Sequence, residues 1–226
     1  MPSKNRFLVL LVSFCCYVSS LLLIFMSLCS EQWVDADVVD ERRLTTAGNV
    51  HTGLFTGMRE LHFDTGVRRT KFQVINELQT GVSFYSRNLW IFSLFFIALS
   101  VVWSSVGATT AIIACFLTKE TSVAGLLGFY VWTLLACLSL AIGLGLFYIQ
   151  YVVSLKSSLL LNDEAFFGFT THGQASLGSA FYMISMVFFF LGIPPLLILA
   201  KTGHDKTTPE KILKTPNSFD PLALLY

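Results

Sequence analysis

The chain has 226 residues, of which 54% are hydrophobic and 13% charged, with a formal net charge of +1. Ordinary globular chains carry about 25% charged residues, whereas here the mean hydropathy reaches +0.67. These figures exclude a disordered chain, a disulfide-stapled secreted miniprotein and a nucleic-acid binder driven by charge, and they describe an integral membrane protein.

Residues 1–6 are a short tail with Lys4 and Arg6. Residues 7–30 are uncharged, and a helix needs only about 20 apolar residues to cross a bilayer core of about 30 Å. A cleaved signal peptide is the competing reading, with Ser27 to Ser30 as its small-residue site. Signals have apolar regions of about 7–15 residues, so the length of this one favours an uncleaved first span.

Residues 31–87 form a large, densely charged but nearly neutral outer loop. Apolar–polar alternation at Leu61-His62-Phe63 and Phe72-Gln73-Val74 suits half-buried strands, and Gly48, Gly53, Gly57 and Gly66 punctuate them as turns would. A small antiparallel sheet is expected, with one face covered by the outer ends of the helices, because a segment this short buries little core alone.

Residues 88–118 make the second span and 119–121 a short inner connection with Lys119. Residues 122–155 make the third span, which is long for the hydrocarbon and either extends outward to about Leu159 or crosses the membrane tilted. Residues 156–175 are a second outer loop, where Phe166, Phe167 and Phe169 form an aromatic cluster beside Asp163 and Glu164. That cluster reads either as a contact surface for a partner or the lipid headgroups, or as rings packed on the larger loop. Residues 176–200 make the fourth span, in which Pro194-Pro195 predicts a kink. Residues 201–226 read as a disordered tail whose last residues, Leu224, Leu225 and Tyr226, match a C-terminal ligand for a PDZ groove.

Orientation follows from Lys and Arg just outside the spans. Lys4, Arg6, Lys119, Lys201, Lys206, Lys211 and Lys214 lie on the side of the tails. Arg42, Arg43, Arg59, Arg68, Arg69, Lys71, Arg87 and Lys156 lie in the longer segments opposite. The density is about twofold higher beside the tails, which predicts cytoplasmic termini.

Chemistry is sparse. Cys15, Cys16, Cys29, Cys115 and Cys137 all fall in or at the ends of spans, with no Cys-x-x-Cys spacing. His51, His62, His172 and His204 are scattered with no second ligand nearby, so neither metal nor cofactor is expected. The spans contain no Asp, Glu, Lys, Arg or His. Ionisable groups at that depth mark ion and proton routes, so a pump, coupled transporter or intramembrane protease is disfavoured and no enzyme is expected. Small residues four apart, at Ser104/Ala108, Gly107/Ala111, Ser139/Gly143 and Ala141/Gly145, suit close helix packing.

The layout resembles the claudin-like and peripheral-myelin-protein-like four-span proteins, with Trp33 after the first span and Gly53-Leu54-Phe55 in place of their Gly-Leu-aromatic motif. Two cysteines that follow this motif in claudins are missing. Closer is the similarity to clarins. Thr52 to Gly57 resembles Tyr-Gly-Leu-Phe-x-Gly with Thr52 for Tyr, and Gly125 to Tyr130 looks like Gly-Pro-x-Gly-hydrophobic-Tyr without its Pro. Ser154-Leu155-Lys156 sits where clarins extend the third helix, and the ending Leu225-Tyr226 is also similar.

The resemblance implies an all-α membrane protein with a left-handed four-helix bundle and a small extracellular antiparallel sheet. Trp33, Gly53, Leu54, Phe55 and Gly57 would then pin the sheet to the helices. It further implies a divergent, non-enzymatic scaffold or accessory protein of the plasma membrane, with sensory-cell roles in some relatives. Its partners would be lipids and membrane or scaffold proteins, PDZ-bearing or actin-linked, with a homo-oligomer left open. Claudin-type adhesion or a paracellular pore, and an auxiliary ion-channel subunit, are the alternatives.

Overall fold

A computed structural model describes residues 4–40, 45–63, 66–80, 86–116, 123–156, 159–160 and 168–206. Phe166 and Phe167 of the aromatic cluster, and Leu224, Leu225 and Tyr226, lie outside the described residues.

Helix α1 runs Lys4–Cys29 and leads into strands β1 (Val34–Asp40), β2 (Thr45–Thr52), β3 (Thr56–Phe63) and β4 (Gly66–Gln73). A short helix α2 (Val74–Thr80) precedes the long helices α3 (Arg87–Phe116) and α4 (Val123–Gln150). The last turn of α4 widens into a π turn, Tyr151–Leu155, and two short strands follow, β5 (Phe169–Thr170) and β6 (Ala175–Leu177). Helices α5 (Ser179–Ser185) and α6 (Val187–Lys206) complete the described chain. Four stretches, Phe7–Cys29, Arg87–Cys115, Gly128–Leu155 and Ser179–Leu199, are long and apolar enough to cross a membrane. In hydrocarbon the backbone must satisfy its own hydrogen bonds, so runs of this kind become helices.

The helices close into a ring in which α3 packs on α1 and α4, and α6 packs on the same two helices from the other side. Buried positions recur at alternating steps of three and four. They fall at Leu10, Ser13, Tyr17, Ser20, Ile24 and Ser27 on α1, and at Ser93, Ile97, Ser100, Ser104 and Gly107 on α3. Phe129, Thr133, Ala136, Leu140, Gly143 and Phe147 continue the pattern on α4, and Ala180, Ile184, Val187, Leu191, Pro194 and Ile198 on the fourth span. The opposite faces carry large apolar side chains such as Leu22, Phe25, Phe92, Phe95, Leu134 and Phe189. Small residues line the seam because backbones, rather than water exclusion, must be brought together in lipid. Ser93 donates to the Gly143 carbonyl (2.9 Å) and Ser100 to that of Ala136 (3.0 Å). Of the four small-residue pairs, only Ala141/Gly145 faces outward.

The six-stranded sheet has the order β4-β3-β2-β1-β5, with β6 beside the other end of β1, and every pairing is antiparallel. The segments after the first and third spans therefore build one sheet, where the sequence pointed to strands in the first of them alone. Ser176 and Leu177 belong to β6, so the fourth span begins at Ser179 rather than 176. The helical run is interrupted at Met186, where Phe189 N–H donates to the Met186 carbonyl at 3.1 Å, and Pro194-Pro195 lie inside α6. The prolines remove the usual i+4 donors of the Phe190 and Leu191 carbonyls. The third span is described as far as the π turn Tyr151–Leu155 and its cap Lys156, and the Tyr151 hydroxyl donates to the Ala175 carbonyl (2.7 Å) in β6.

Candidate functional site

The residues singled out from the sequence meet at the seam between sheet and bundle. Gly53 occupies the turn between β2 and β3, and its N–H donates to the Thr56 carbonyl (2.8 Å). This turn lies directly on the chain leaving α1. A Cβ on Gly53 would sit 2.5 Å from the Ser30 carbonyl oxygen and 3.0 Å from Glu31 Cα, so no other residue fits without moving backbone. Thr56 donates to the Glu31 carboxylate (3.0 Å) and Trp33 N–H to the Thr52 carbonyl (3.0 Å), which fasten the same junction.

Trp33 is fully buried. Its indole N–H donates to the Ser27 carbonyl at 2.8 Å in α1, and its ring meets Phe147 of α4 edge-on at 4.7 Å. A second edge contact reaches Phe181 of α5 at 6.3 Å. Its carbonyl accepts from Gly178 N–H (2.8 Å), Gln32 accepts from Ala180 N–H (3.0 Å), and Ser27 donates to the Ala180 carbonyl (2.8 Å). One side chain and its neighbours thus touch α1, the sheet, α4 and the start of the fourth span. A buried indole N–H needs an acceptor, and the last turn of α1 supplies one.

Leu54 and Phe55 divide. Leu54 is fully buried, and its carbonyl accepts the indole N–H of Trp90 (2.9 Å) from the first turn of α3. Phe55 is 47% exposed and contributes through its carbonyl, which accepts from Val74 N–H (2.9 Å) at the start of α2. Of the two neighbours, Leu54 turns its side chain inward and Phe55 meets the junction through its backbone carbonyl. Gly57 makes room for the Phe72 ring, which a Cβ there would overlap. Arg59, only 2% exposed, lays its guanidinium over that ring at 4.1 Å and faces the Glu77 carboxylate of α2 at 3.5 Å. A buried cation needs both a ring face and a carboxylate to offset its lost hydration.

Phe169, the described member of the aromatic cluster, is buried in β5 with its ring edge-on to Phe63 at 5.3 Å. It packs on the larger loop, which is the second of the two readings given for the cluster. Trp90, Phe147, Phe181, Arg59 and Gly178 were not singled out from the sequence. Trp90, at the mouth of a span, was the one carrying a readable signal, since indoles collect at membrane interfaces. Gln150, beside the π turn, is fully buried with neither amide atom hydrogen-bonded among the described residues. Among the described residues no three His, Cys, Asp or Glu side chains converge on a point that could hold a metal.

On the outer face of the sheet, His51 Nδ1 lies 2.8 Å from Asp35 Oδ1. Glu60 accepts from Arg69 through both oxygens, at 3.0 and 3.1 Å. The hydrogen bond from Arg69, then its charge, hold the Glu60 carboxyl below the usual carboxylate range, with His62 adding to the effect.

Four apolar helices and a small antiparallel sheet seated on one end of them define the class: a multi-pass membrane protein. No protein-family model and no curated protein matches the chain.

Proposed function

We propose that the chain is a divergent, clarin-like four-span protein of the plasma membrane, non-enzymatic, which holds and organises partner membrane proteins and links them to the cortical actin beneath. Its bundle is left-handed and claudin-like, its sheet extracellular and both termini cytoplasmic. The alternating three-and-four spacing of the buried seam supports the left-handed supercoil, because a 3.5-residue repeat imposes one. The observation that carries the reading is the junction itself. The Gly53-Leu54 turn, Trp33 and Trp90 serve to seat the sheet on the helices, while the spans hold no ionisable group with which to move an ion or a proton. The surfaces it would offer are the outer sheet on one side and the polar tail from Lys201 on the other.

Proximity labelling from a C-terminal fusion in native tissue tests this. A small reproducible set of membrane, PDZ-bearing and cytoskeletal proteins is expected. Enrichment of the protein at contacts between otherwise non-adherent cells would instead favour adhesion. A current that appears only when a channel is co-expressed would favour the auxiliary-subunit reading.

A further inference from the structure

Strand β4 is the free edge of the sheet: it pairs with β3 on one side and with no described strand on the other. Every position from Gly66 to Lys71 is exposed, and only Phe72 turns inward. An edge of this kind presents a row of backbone N–H and C=O groups ready to pair with another extended chain.

The side chains give that row a sign. Arg68 stands opposite Leu61 and Lys71 opposite Met58, on opposite faces of the strand, and neither has a carboxylate within ion-pair distance among the described residues. Arg69 differs, since Glu60 on the neighbouring strand already holds it. The edge therefore carries two cations without a partner among the described residues, three residues apart, one above and one below the plane of the sheet.

We propose that the β4 edge docks an acidic, extended segment of a partner polypeptide, which adds as a further strand with carboxylates across from Arg68 and Lys71. Side chains alternate faces along a strand, so the fitting segment carries Asp or Glu at positions i and i+3. Backbone pairing supplies affinity and the two charges fix register, as in other cases of strand addition. A lipid or glycan surface would engage cations on one face without using the backbone row. Edge-to-edge pairing of two copies would set Arg68, Arg69 and Lys71 against their own counterparts, which like-charge repulsion opposes. The proposal names a partner chemistry for the organiser described above and rests on that reading for its biological use, while its test is independent of the tail and of the labelling experiment.

The test uses the full chain in nanodiscs of zwitterionic phosphatidylcholine and a dye-labelled, ten-residue, Val- and Thr-rich peptide with two Glu residues three apart. Saturable binding by fluorescence anisotropy is expected. Methylating alternate backbone nitrogens of the peptide, with its charge unchanged, is expected to weaken binding about tenfold or more, as is the R68E/K71E variant. That variant should in turn bind the peptide carrying Lys in place of Glu, which also shows that it is folded. Absence of binding to the wild-type chain overturns the proposal. So does equal binding of the methylated peptide, or equally effective displacement by a sulfated oligosaccharide, since either would mean that charge alone is recognised.

Discussion

At the scale of single residues, the seam depends on one missing side chain and one indole. Gly53 is required by the Ser30 carbonyl, 2.5 Å from where a Cβ would stand. Gly53→Val forces either the β2–β3 turn or the end of α1 to move, and overpacking of that kind costs about 1–3 kcal/mol. Because the same turn delivers the Leu54 carbonyl to Trp90, the loss spreads to α3. Retention of Gly53→Val in the endoplasmic reticulum is expected by surface biotinylation, and delivery equal to wild type would show that the turn does not hold the sheet in place. Leu54 and Phe55 teach a related lesson. Hydropathy ranks them alike, yet only one can face the bundle, and the choice is made by the backbone path between Thr52 and Thr56.

At the scale of elements, the β3–β4 hairpin is held by Phe72 at its base and by the Glu60–Arg69 pair on its outer face. The Glu60 carboxyl titrates below its ordinary value in the folded protein, chiefly because Arg69 donates to it. Its contribution to stability is therefore present above the unfolded carboxylate value of about 4.3 and is lost as pH falls through the lower folded value. Thermal unfolding followed across pH should show wild type slightly above Arg69→Ala at neutral pH, with the gap closing in that acidic window. A gap independent of pH would mean that Arg69 acts through packing instead. The short strands β5 and β6 depend on this scale too. Two or three residues do not make a strand alone, but β1 offers them a ready edge.

At the scale of the whole molecule, the bundle is held along an inner seam of small and hydroxyl-bearing residues, and it meets lipid with large apolar ones. Tyr17 and Thr133 share a buried hydrogen bond of 2.7 Å between α1 and α4. Gly107 of α3 lies against the Tyr17 ring, where a Cβ would come within 2.7 Å of it, whereas nothing lies within 4 Å of a Cβ on Gly145. Gly107→Leu should therefore lower stability by about 1–3 kcal/mol. Gly145→Leu should change it by no more than about 0.5 kcal/mol. Thermal unfolding in detergent compares the two, and equal effects would contradict the ring of helices described here. The same architecture leaves the β4 edge exposed from Gly66 to Lys71.

Much of this was legible in the residues alone. Four uncharged runs, each near the length that crosses hydrocarbon, determined the number of spans, because the bilayer acts on each run as a uniform solvent whatever its neighbours are. Trp33, Gly53 and Leu54 marked the seam for a similar reason: indole, absent side chain and buried leucine each have few environments that suit them. Tertiary structure alone decided that the segment after the third span completes the sheet of the segment after the first, that Phe55 stays out while Arg59 goes in, and that the fourth span is interrupted at Met186. Strand pairing, ring stacking and the burial of a cation depend on groups distant in the chain, such as Phe72 and Glu77 for Arg59, and those meetings have no signature in local composition.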